Sequence, residues 1–443
     1  MKGLRLLILC GIAFIIAGCS ENPLSSEENR GDKDPESNTP FGFSKSLSVS
    51  REIGSKENID IQAKSINRFA LDMYKSIIEQ ELVESNQNLF FSPYSMVVAL
   101  AMASAGADGE TERQMREVLC DAFGGDLFHA AINGLDQELM GYTQTVDGVT
   151  LNVVNSAWMK TRVPFTTGFL NTLSRYYGAG VNLLDFAAQP EESRVIINTW
   201  VEEQTNNKIC DLIPQGVITP ATELVLTNAI YFLADWLSSF NPELTETGDF
   251  YCIDNSTVAV PLMNLNDSNE KVKMLYKHGS NVRVMDFPYE GDRLVMTVLL
   301  PDQGSFSDFE GSLTLDNIEQ LISELDSTEL PVQLPKFEYT TSSLSIKDVL
   351  VAMGMIDAFS PGTADFSKIN NHDLYISDVI HKAFISVDES GTEAAAATAV
   401  VFGRTSTDVP SFIANHPFIY LIRDRETQTI LFMGRTMNPS LSE

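Results

Sequence analysis

The apolar positions in the first half of the chain follow the spacing of helices. Apolar residues recur every three or four positions in 66–82 and in 193–207, which predicts an amphipathic helix in each segment. The segment 93–115 is apolar and rich in alanine, and we expect its helix to end near Gly106. The first half is therefore predicted to be mainly helical.

The second half carries short runs of β-branched and aromatic residues, several of them alternating with polar ones, and these predict strands. The runs are LVLTNAIYF (224–232), LVMTVLLP (294–301), LPVQLPKFEY (330–339), LYISDVIHKAFISV (374–387), FIYLIRD (418–424) and TILFMGR (429–435). Helices packed on an extensive, largely antiparallel sheet form an α+β architecture. No long Pro-, Gly- or Ser-rich linker interrupts the apolar pattern, so we expect one large α+β domain over 67–440.

The chain begins with an apolar run that has the form of an export signal. Lys2 and Arg5 lie at its start, and the run is too short to span a membrane. It ends in IAGC (16–19), which resembles the lipobox of bacterial lipoproteins, where cleavage before the cysteine accompanies attachment of lipid to its sulfur. We predict a signal peptide over 1–18 and lipidation of Cys19, with a general secretory signal as the alternative.

Residues 19–66 are rich in Ser, Asn, Glu, Lys, Gly and Pro and show no sustained periodicity. This composition predicts a flexible tether between the lipid and the domain. We therefore expect an exported protein, anchored by lipid at the cell envelope or extracellular. Ser20 follows the cysteine in place of Asp, which favours the outer membrane if the cell is Gram-negative.

The charge of the chain excludes several kinds of partner. Thirty basic and sixty acidic residues give a formal net charge of −30, which argues against binding to nucleic acid or to a polyanionic sugar. No Lys or Arg occurs between Glu117 and Met159, so we expect no heparin site there. A monomer is expected.

Three cysteines fall within the predicted domain, Cys120, Cys210 and Cys252. Their odd number and wide spacing match neither a disulfide framework nor a metal site. We predict that they are small core residues, and the sequence leaves open whether two of them pair.

No motif in the chain indicates enzyme chemistry. The histidines are His129, His278, His372, His381 and His416, and none lies in an HExxH pattern. Neither GxSxG nor a phosphate-binding loop occurs. A secreted hydrolase would need a nucleophile next to a base, which no motif provides, and we expect no metal or cofactor.

Seven segments along 67–439 together form a recognisable ordered set. They are FFSPYSMVVALAMASAGADGETERQM (90–115), INTWVEEQTNNKICDLIP (197–214), NAIYFLADW (228–236), LPKFEY (334–339), DVLVAMGMIDAF (348–359), SDVIHKAFISVDESGTEAAAAT (377–398) and HPFIYLIRDRETQTILFMGRTMNP (416–439). In this order they resemble the serpins, a family of serine protease inhibitors. Asn207 stands where glycine is usual, and Leu233-Ala234 replaces a usual Lys-Gly. The chain is identified as a member of the family on this ordered set.

The resemblance implies a serpin fold with three β-sheets and an exposed reactive-centre loop. In the family, a serine protease cleaves this loop and becomes bound to it as an acyl-enzyme, and the loop then inserts into the main sheet as a central strand. About sixteen residues at ~3.3 Å each would carry the protease roughly 50 Å. The implied activity is that of a suicide substrate and not of an enzyme. A non-inhibitory serpin acting as a binding or chaperone-like protein is the alternative.

The hinge at the start of this loop favours the inhibitory reading. By resemblance it comprises Glu389, Ser390, Gly391, Thr392, Glu393, Ala394, Ala395, Ala396, Ala397 and Thr398. Its alternate residues from Thr392 to Thr398 are small and can enter a packed sheet, whereas Glu393 would face the other way and stay solvated. None of these alternate residues, which would face into the sheet, is a Lys, Arg or Pro, and each of those three residue types would oppose insertion.

The family's shutter is a hydrogen-bonded cluster beneath the opening sheet. The resemblance assigns it to Ser92, Ser95, Asn228 and His381. It assigns Trp236 to the breach, where the loop enters the sheet.

The scissile bond lies near Arg404, and its register stays open. Counting from Glu389 at the spacing usual for inhibitors gives Thr405–Ser406. Arg404 is the only cation between Lys382 and Arg423, and its side chain suits trypsin-like proteases, so Arg404–Thr405 is preferred. Cleavage after Thr405 would suit elastase- or subtilisin-like enzymes. The target protease, its source and any action on cysteine proteases stay open.

Overall fold

The computed structural model describes residues 44–45 and 51–441, except for 162–163, 180, 266–272, 342, 371–372 and 393–410. Helices and three β-sheets make up this part of the chain, which confirms the α+β class. The helices are α1 Lys56–Glu79, α2 Pro93–Ser104, α3 Gly109–Val118, α4 Gly125–Thr143, α5 Thr167–Thr172, α6 Pro190–Gln204, α7 Phe306–Gly311, α8 Leu315–Ser323 and α9 Lys347–Ala352. Helix α5 continues into a π-helical segment, Leu173–Tyr177, called the π turn below, and 3₁₀ turns span Pro242–Leu244 and Asp357–Phe359.

The strands of the described residues include all six predicted runs, together with others that the pattern did not predict, such as Val149–Lys160 and Thr257–Asn264. They are β1 Ser44–Lys45, β2 Leu89–Phe91, β3 Val149–Lys160, β4 Val181–Leu184, β5 Leu224–Asp235, β6 Glu246–Tyr251, β7 Thr257–Asn264, β8 Lys273–His278, β9 Val282–Pro288, β10 Leu294–Pro301, β11 Asp326–Glu329, β12 Val332–Pro335, β13 Phe337–Thr340, β14 Leu344–Ser345, β15 Ile376–Val387, β16 Gly391–Thr392, β17 Phe412–Ile413, β18 Phe418–Asp424 and β19 Ile430–Thr436.

The strands form a main sheet, a second sheet and a third sheet. The main sheet has the order β1-β4-β3-β5-β16-β15-β13, with β14 also paired to β15. The second sheet has the order β11-β8-β9-β10-β18-β19-β2, and the third has the order β17-β12-β7-β6. Strands β10, β18 and β19 are buried along their whole length, because the second sheet is covered on both faces.

The main sheet separates two apolar cores. The larger core contains residues of α1, α2, the second sheet and one face of the main sheet. The smaller core lies beneath α6, where Ile197 and Val201 join Trp158 of β3 and Ile380 of β15 in one cluster. Trp200 of α6 contacts Trp158 edge to face, with ring centroids 5.3 Å apart. Helix α6 therefore covers the outer face of the main sheet.

The first helix begins earlier than the sequence pattern predicted. Helix α1 starts at Lys56, where the Ser55 hydroxyl accepts a hydrogen bond from the Asn58 N–H at 3.3 Å. Ile59 already packs in the core. The tether predicted over 19–66 therefore does not reach residue 66. Gln62 and Ser65 are buried polar residues, and they mask the apolar spacing of this first part of the helix.

Two other predicted elements are divided in the structure. The segment 93–115 holds two helices, since α2 ends at Ser104, near the predicted end at Gly106, and α3 begins at Gly109. The run 330–339 forms two strands, of which β12 joins the third sheet and β13 joins the main sheet. An alternating pattern identifies a strand but does not say which sheet it enters.

The cysteines correct another prediction. Cys120, Cys210 and Cys252 are free thiols, and none is a fully buried core residue. Cys210 is exposed in the turn after α6, and the other two are partly buried next to α3 and β6. Burial nevertheless raises the pKa of Cys120 to about 11. All three lie in the connecting segments that follow α3, α6 and β6, which run over the surface, and this accounts for their exposure.

Candidate functional site

The chain after β15 turns back and enters the middle of the main sheet. Strand β16 pairs antiparallel with β5 on one side, through Gly391–Asp235 and Thr392–Ala234. It pairs antiparallel with β15 on the other side, through Thr392–Val387. The first two residues of the predicted loop insert are thus already seated as a central strand.

A tight turn at Asp388 holds this reversal. The Asp388 carboxylate accepts hydrogen bonds from the N–H groups of Ser390 (2.9 Å) and Gly391 (3.3 Å), and its own N–H donates to the Gly391 carbonyl (2.9 Å). Burial raises the pKa of Asp388 above its usual range. The turn therefore directs the chain from β15 back into the sheet.

Gly391 and Thr392 fit their positions closely. A Cβ on Gly391 would lie 2.1 Å from the Ala234 carbonyl oxygen, a distance that backbone cannot accommodate, so only glycine fits there. Thr392 is 1% exposed, and its hydroxyl lies 2.8 Å from the Tyr289 hydroxyl. Burial raises the pKa of Tyr289 well above its usual value, so this phenol stays neutral.

The predicted breach residue, Trp236, lies directly beside this turn. Its indole N–H donates to the Asp388 carbonyl at 2.9 Å, and its backbone N–H donates to the Ser390 carbonyl at 2.8 Å. The indole stacks on the Tyr289 ring, with centroids 4.5 Å apart and planes 9° from parallel. Trp236 and Tyr289 therefore form the wall of the seat that holds β16.

Glu389 anchors the same turn to the third sheet. Its carboxylate accepts hydrogen bonds from Lys336 and from the Thr245 hydroxyl, both at 2.8 Å. Burial opposes ionisation of Glu389, but its bonds from Lys336, from Thr245 and from backbone outweigh burial and lower its pKa. The base of the hinge is therefore an ionised, fixed group.

Below the seat, the main sheet is closed by direct pairing of β5 with β15. The two strands run parallel and pair from Leu224–Ile376 to Ile230–Ala383. A longer inserted strand would have to separate them. Strand β16 thus separates β5 from β15 at Gly391 and Thr392, and the two strands pair directly with each other below it.

The four predicted shutter residues meet at this closed part of the sheet. The His381 Nδ1 lies 2.5 Å from the Asn228 side-chain oxygen, and the Ser92 N–H donates to His381 Nε2 at 3.2 Å. Because Nε2 accepts, the proton of the neutral ring is on Nδ1. The Asn228 amide donates to the Ser95 hydroxyl, and the Ser95 N–H donates to the Ser92 hydroxyl at 3.1 Å.

A fifth residue, Asn155 of β3, completes the shutter, and sequence reasoning missed it. Its side-chain oxygen accepts the second N–H of the Asn228 amide at 2.5 Å. The two asparagines lie opposite each other in the β3–β5 ladder. The network therefore joins β3, β5, β15 and α2, and every polar group of Asn228 is used. Asparagine within an apolar strand was the signal that could have identified it.

The shutter predicts a pH dependence of stability. Burial lowers the pKa of His381 to about 3 and that of His129 to about 4. A histidine with a lowered folded pKa stabilises the fold fully above its unfolded pKa of about 6.5, and this contribution is lost as pH falls. Between pH ~7 and pH ~5, we therefore expect each of these two histidines to lower the free energy of unfolding by about 2 kcal/mol.

Urea unfolding of the uncleaved protein at both pH values measures this loss. His129→Gln should remove about 2 kcal/mol of the histidine-dependent part. The remainder belongs to His381 together with His416, whose pKa burial also lowers. Nuclear magnetic resonance showing the His381 ring protonated above pH ~5 in the folded protein would contradict the assignment.

Several predicted residues lie outside the described part of the chain. They are hinge residues Glu393, Ala394, Ala395, Ala396, Ala397 and Thr398, scissile-bond residues Arg404, Thr405 and Ser406, and lipidation residue Cys19. Within the described residues, no group of three or more His, Cys, Asp or Glu side chains could hold a metal ion. No helix in that same part is long and apolar enough to cross a membrane.

The fold and the seated hinge agree with what comparison of the sequence shows. Residues 64–439 match the family model of the serpins, described as serine protease inhibitors. The chain therefore belongs to the serpin family, whose members are for the most part protease inhibitors and not catalytic enzymes.

Its relatives come from distant organisms. An uncharacterized serpin-like protein of Thermococcus kodakarensis is 37% identical over 443 residues, covering 98% of each chain. Antithrombin-III of Mus musculus is 36% identical over 86% of this chain and 82% of its own. Among solved structures, the thermophilic serpin tengpin in its native state has a TM-score of 0.75 and 28% identity, covering 89% of this chain and 97% of its own.

Proposed function

We propose that this serpin inhibits serine proteases by trapping them as acyl-enzymes through insertion of its cleaved loop. The observation that carries the proposal is the seating of Gly391 and Thr392 between β5 and β15. The chain beyond them continues with Glu393, four alanines and Thr398. The strand that insertion would complete has therefore already begun in the correct direction.

The chemistry requires the protease to start its ordinary reaction. Its serine oxygen attacks the scissile carbonyl, an ester to the loop forms, the peptide bond breaks, and the leaving amine takes a proton. The new end of the loop is then free to move while the ester still holds the protease. Hydrolysis of the ester would release the protease, so insertion must be faster than hydrolysis.

The pairing pattern of the main sheet favours insertion. Strands β5 and β15 are parallel where they pair directly, and a strand that continued β16 would be antiparallel to both. Insertion thus exchanges one parallel ladder for two antiparallel ladders, which are slightly more stable per residue. The shutter hydrogen bond between His381 and Asn228 joins β15 to β5. It must therefore break before the loop can insert between these two strands.

An incubation with a panel of proteases tests the proposal. We expect complexes that survive boiling in detergent with at least one serine protease, together with a released C-terminal peptide whose sequence gives the cleaved bond. Cleavage of the loop by every protease tested, without a stable complex, would reject inhibition and support the non-inhibitory alternative.

We propose Arg404–Thr405 as the scissile bond, with Thr405–Ser406 as the alternative. Arg404→Ala should abolish stable complexes with trypsin-like proteases, since a carboxylate in their specificity pocket pairs with the guanidinium. Complexes with elastase-like proteases should remain largely intact, which serves as the internal control. Trapping of trypsin by the variant at the wild-type rate would count against Arg404.

We further propose that Cys19 carries lipid and that the protein is held at the cell envelope. The support is the IAGC sequence at 16–19, since an acylated cysteine gains membrane affinity from each buried methylene. Cys19→Ser should release the protein from the membrane fraction or block its processing. Unchanged sedimentation with membranes would contradict lipidation, and Cys10→Ser, which alters the signal only, provides the control.

A further inference from the structure

A polar cavity of about 190 Å³ lies among the end of α2, helix α3, the start of α4 and the end of α5. Its wall includes Ser104, Glu112, Asp126 and Thr172, and Lys368 contributes from the segment before β15. At the ~30 Å³ that one water molecule occupies in the liquid, the cavity has room for about six atoms of that size. None of the described hinge or shutter residues lines it, so the proposed trapping reaction does not use it.

His129 of α4 and Tyr177 of the π turn form a buried, uncharged pair beside this cavity. The His129 Nδ1 lies 2.6 Å from the Tyr177 hydroxyl. Burial lowers the pKa of His129 to about 4 and raises the pKa of Tyr177 well above its usual value, so both groups are neutral in neutral solution. The Tyr177 hydroxyl has no other acceptor among the described residues. It therefore donates to Nδ1, because the reverse arrangement would bury its proton without a partner.

The proton of the His129 ring is consequently on Nε2, where it is an unused donor. The residue is 6% exposed, and its Nε2 has no hydrogen-bond partner within the part of the chain that the structure describes. His129 lines the cavity and Tyr177 does not, so the Nε2 side of the ring faces the cavity. A buried donor of this kind favours an occupant with an acceptor atom.

Arg116 of α3 is held in the cavity wall by a fixed set of contacts. Its Nε donates at 2.9 Å to Asp121, whose side chain is 1% exposed. Asp121 also accepts the N–H groups of Phe123 and Gly124, both at 2.8 Å. A Cβ on Gly124 would lie 2.7 Å from the Arg116 Cζ, so glycine lets the guanidinium pack directly against the backbone. The terminal guanidinium nitrogens make no hydrogen bond to the described residues and are available to a carboxylate.

The charges around the cavity decide which kind of ligand fits it. The wall has three carboxylates, Glu112, Asp121 and Asp126, and two cations, Arg116 and Lys368, which leaves one negative charge in excess. A simple anion would reach the two donors but would be repelled by this excess. A ligand that carries its own cation next to a carboxylate avoids the repulsion.

Asp126 is the carboxylate that can receive such a cation. Glu112 already accepts a hydrogen bond from Lys368 at 2.6 Å. Asp126 bonds the Tyr176 hydroxyl and lies 3.9 Å from Arg175, and its side chain is 72% exposed. Because a carboxylate offers about four acceptor sites, Asp126 can also accept hydrogen bonds from an ammonium group.

We propose that this cavity binds a small α-amino acid without net charge, such as alanine or serine, in its zwitterionic form. Its carboxylate is held by the His129 Nε2–H and the Arg116 guanidinium, and its ammonium group is held by Asp126. Helix α4 begins at Gly125 without a side-chain cap, and its N-terminus adds a further attraction for the carboxylate. Both amino acids suit a cavity with room for about six atoms.

Titration of the purified, uncleaved protein with L-alanine and with L-serine, followed by saturation-transfer nuclear magnetic resonance, tests this site without a protease. We expect saturable binding with a Kd of about 1 mM or below. Acetate and ethylamine each carry only one of the two charges and should bind at least about tenfold more weakly. Absence of saturable binding by both amino acids up to about 20 mM would overturn the proposal. Acetate binding as tight as that of alanine would overturn it too, since the site would then be a simple anion site.

Two variants locate the ligand. Arg116→Met and Asp126→Asn should each weaken alanine binding at least about tenfold, and Asp126→Asn should leave acetate binding no weaker. Arg113→Met is the matched control, because Arg113 lies on the same helix but does not line the cavity, and it should stay within about twofold of wild type. If Arg116→Met fails to fold, the exposed Asp126 position decides alone. Wild-type affinity for alanine in Asp126→Asn would place the ligand elsewhere and reject the site.

Discussion

Thr392→Arg is expected to convert the inhibitor into an ordinary substrate of its target protease. Thr392 is almost fully buried between β5 and β15, and its hydroxyl lies 2.8 Å from the neutral phenol of Tyr289. An arginine there would have to bury a guanidinium without a carboxylate partner, which costs several kcal/mol. Insertion would then become slower than ester hydrolysis, and the number of inhibitor molecules consumed per protease should rise at least about tenfold.

Titration of a fixed amount of protease, with gel analysis of complex and cleaved inhibitor, measures this change. Ser390→Arg is the matched control, because Ser390 is exposed two residues earlier and uses only its backbone groups in the turn. The control should trap protease as wild type does. Stable complexes at wild-type stoichiometry from Thr392→Arg would show that the seat at β16 is not required for insertion.

Cleavage of the loop between about Val400 and Ser406 is expected to raise the melting temperature by more than about 10 °C. In the uncleaved protein the seat ends at Thr392, and β5 pairs directly with β15 below it. A completed central strand would add backbone hydrogen bonds on both of its sides. At about 1 kcal/mol net for each bond, roughly ten new bonds suffice for a shift of that size.

Melting curves of intact and cut protein measure the effect. Thr392→Arg cut at the same bond provides the control, since it should lack most of the gain. If the cut wild-type protein melts at the temperature of the intact protein, its loop does not insert, and the chain is a non-inhibitory serpin.

The residues at the hinge could be predicted because their properties are local. Gly391 and the small residues after it could be assigned from the hinge segment itself, whereas the clash that requires glycine at 391 comes from the Ala234 carbonyl of β5. The partners of the hinge are different. Tyr289 and Lys336 lie far from it in sequence, and their contacts arise only when the third sheet and the second sheet meet at the end of β15.

The shutter shows the same limit. His381 and Asn228 could be assigned from segments that resemble the family, but Asn155 depends on the register between β3 and β5. A strand pattern gives the face on which a side chain lies and not the residue opposite it. The start of α1 was missed for a related reason, since buried Gln62 interrupts the apolar spacing there and only tertiary packing shows the helix to begin at Lys56.

The tryptophans of this serpin give it built-in optical reporters. Its three tryptophans are Trp158, Trp200 and Trp236. Trp236 touches the turn at Asp388 and the seat of Thr392, so its emission depends on whether the seat is filled. Trp158 and Trp200 join β3 to α6, so their emission depends on whether that helix stays on the sheet. With Trp158→Phe and Trp200→Phe combined, Trp236 is the remaining tryptophan, and the fluorescence of the hinge can be followed in real time and without a label.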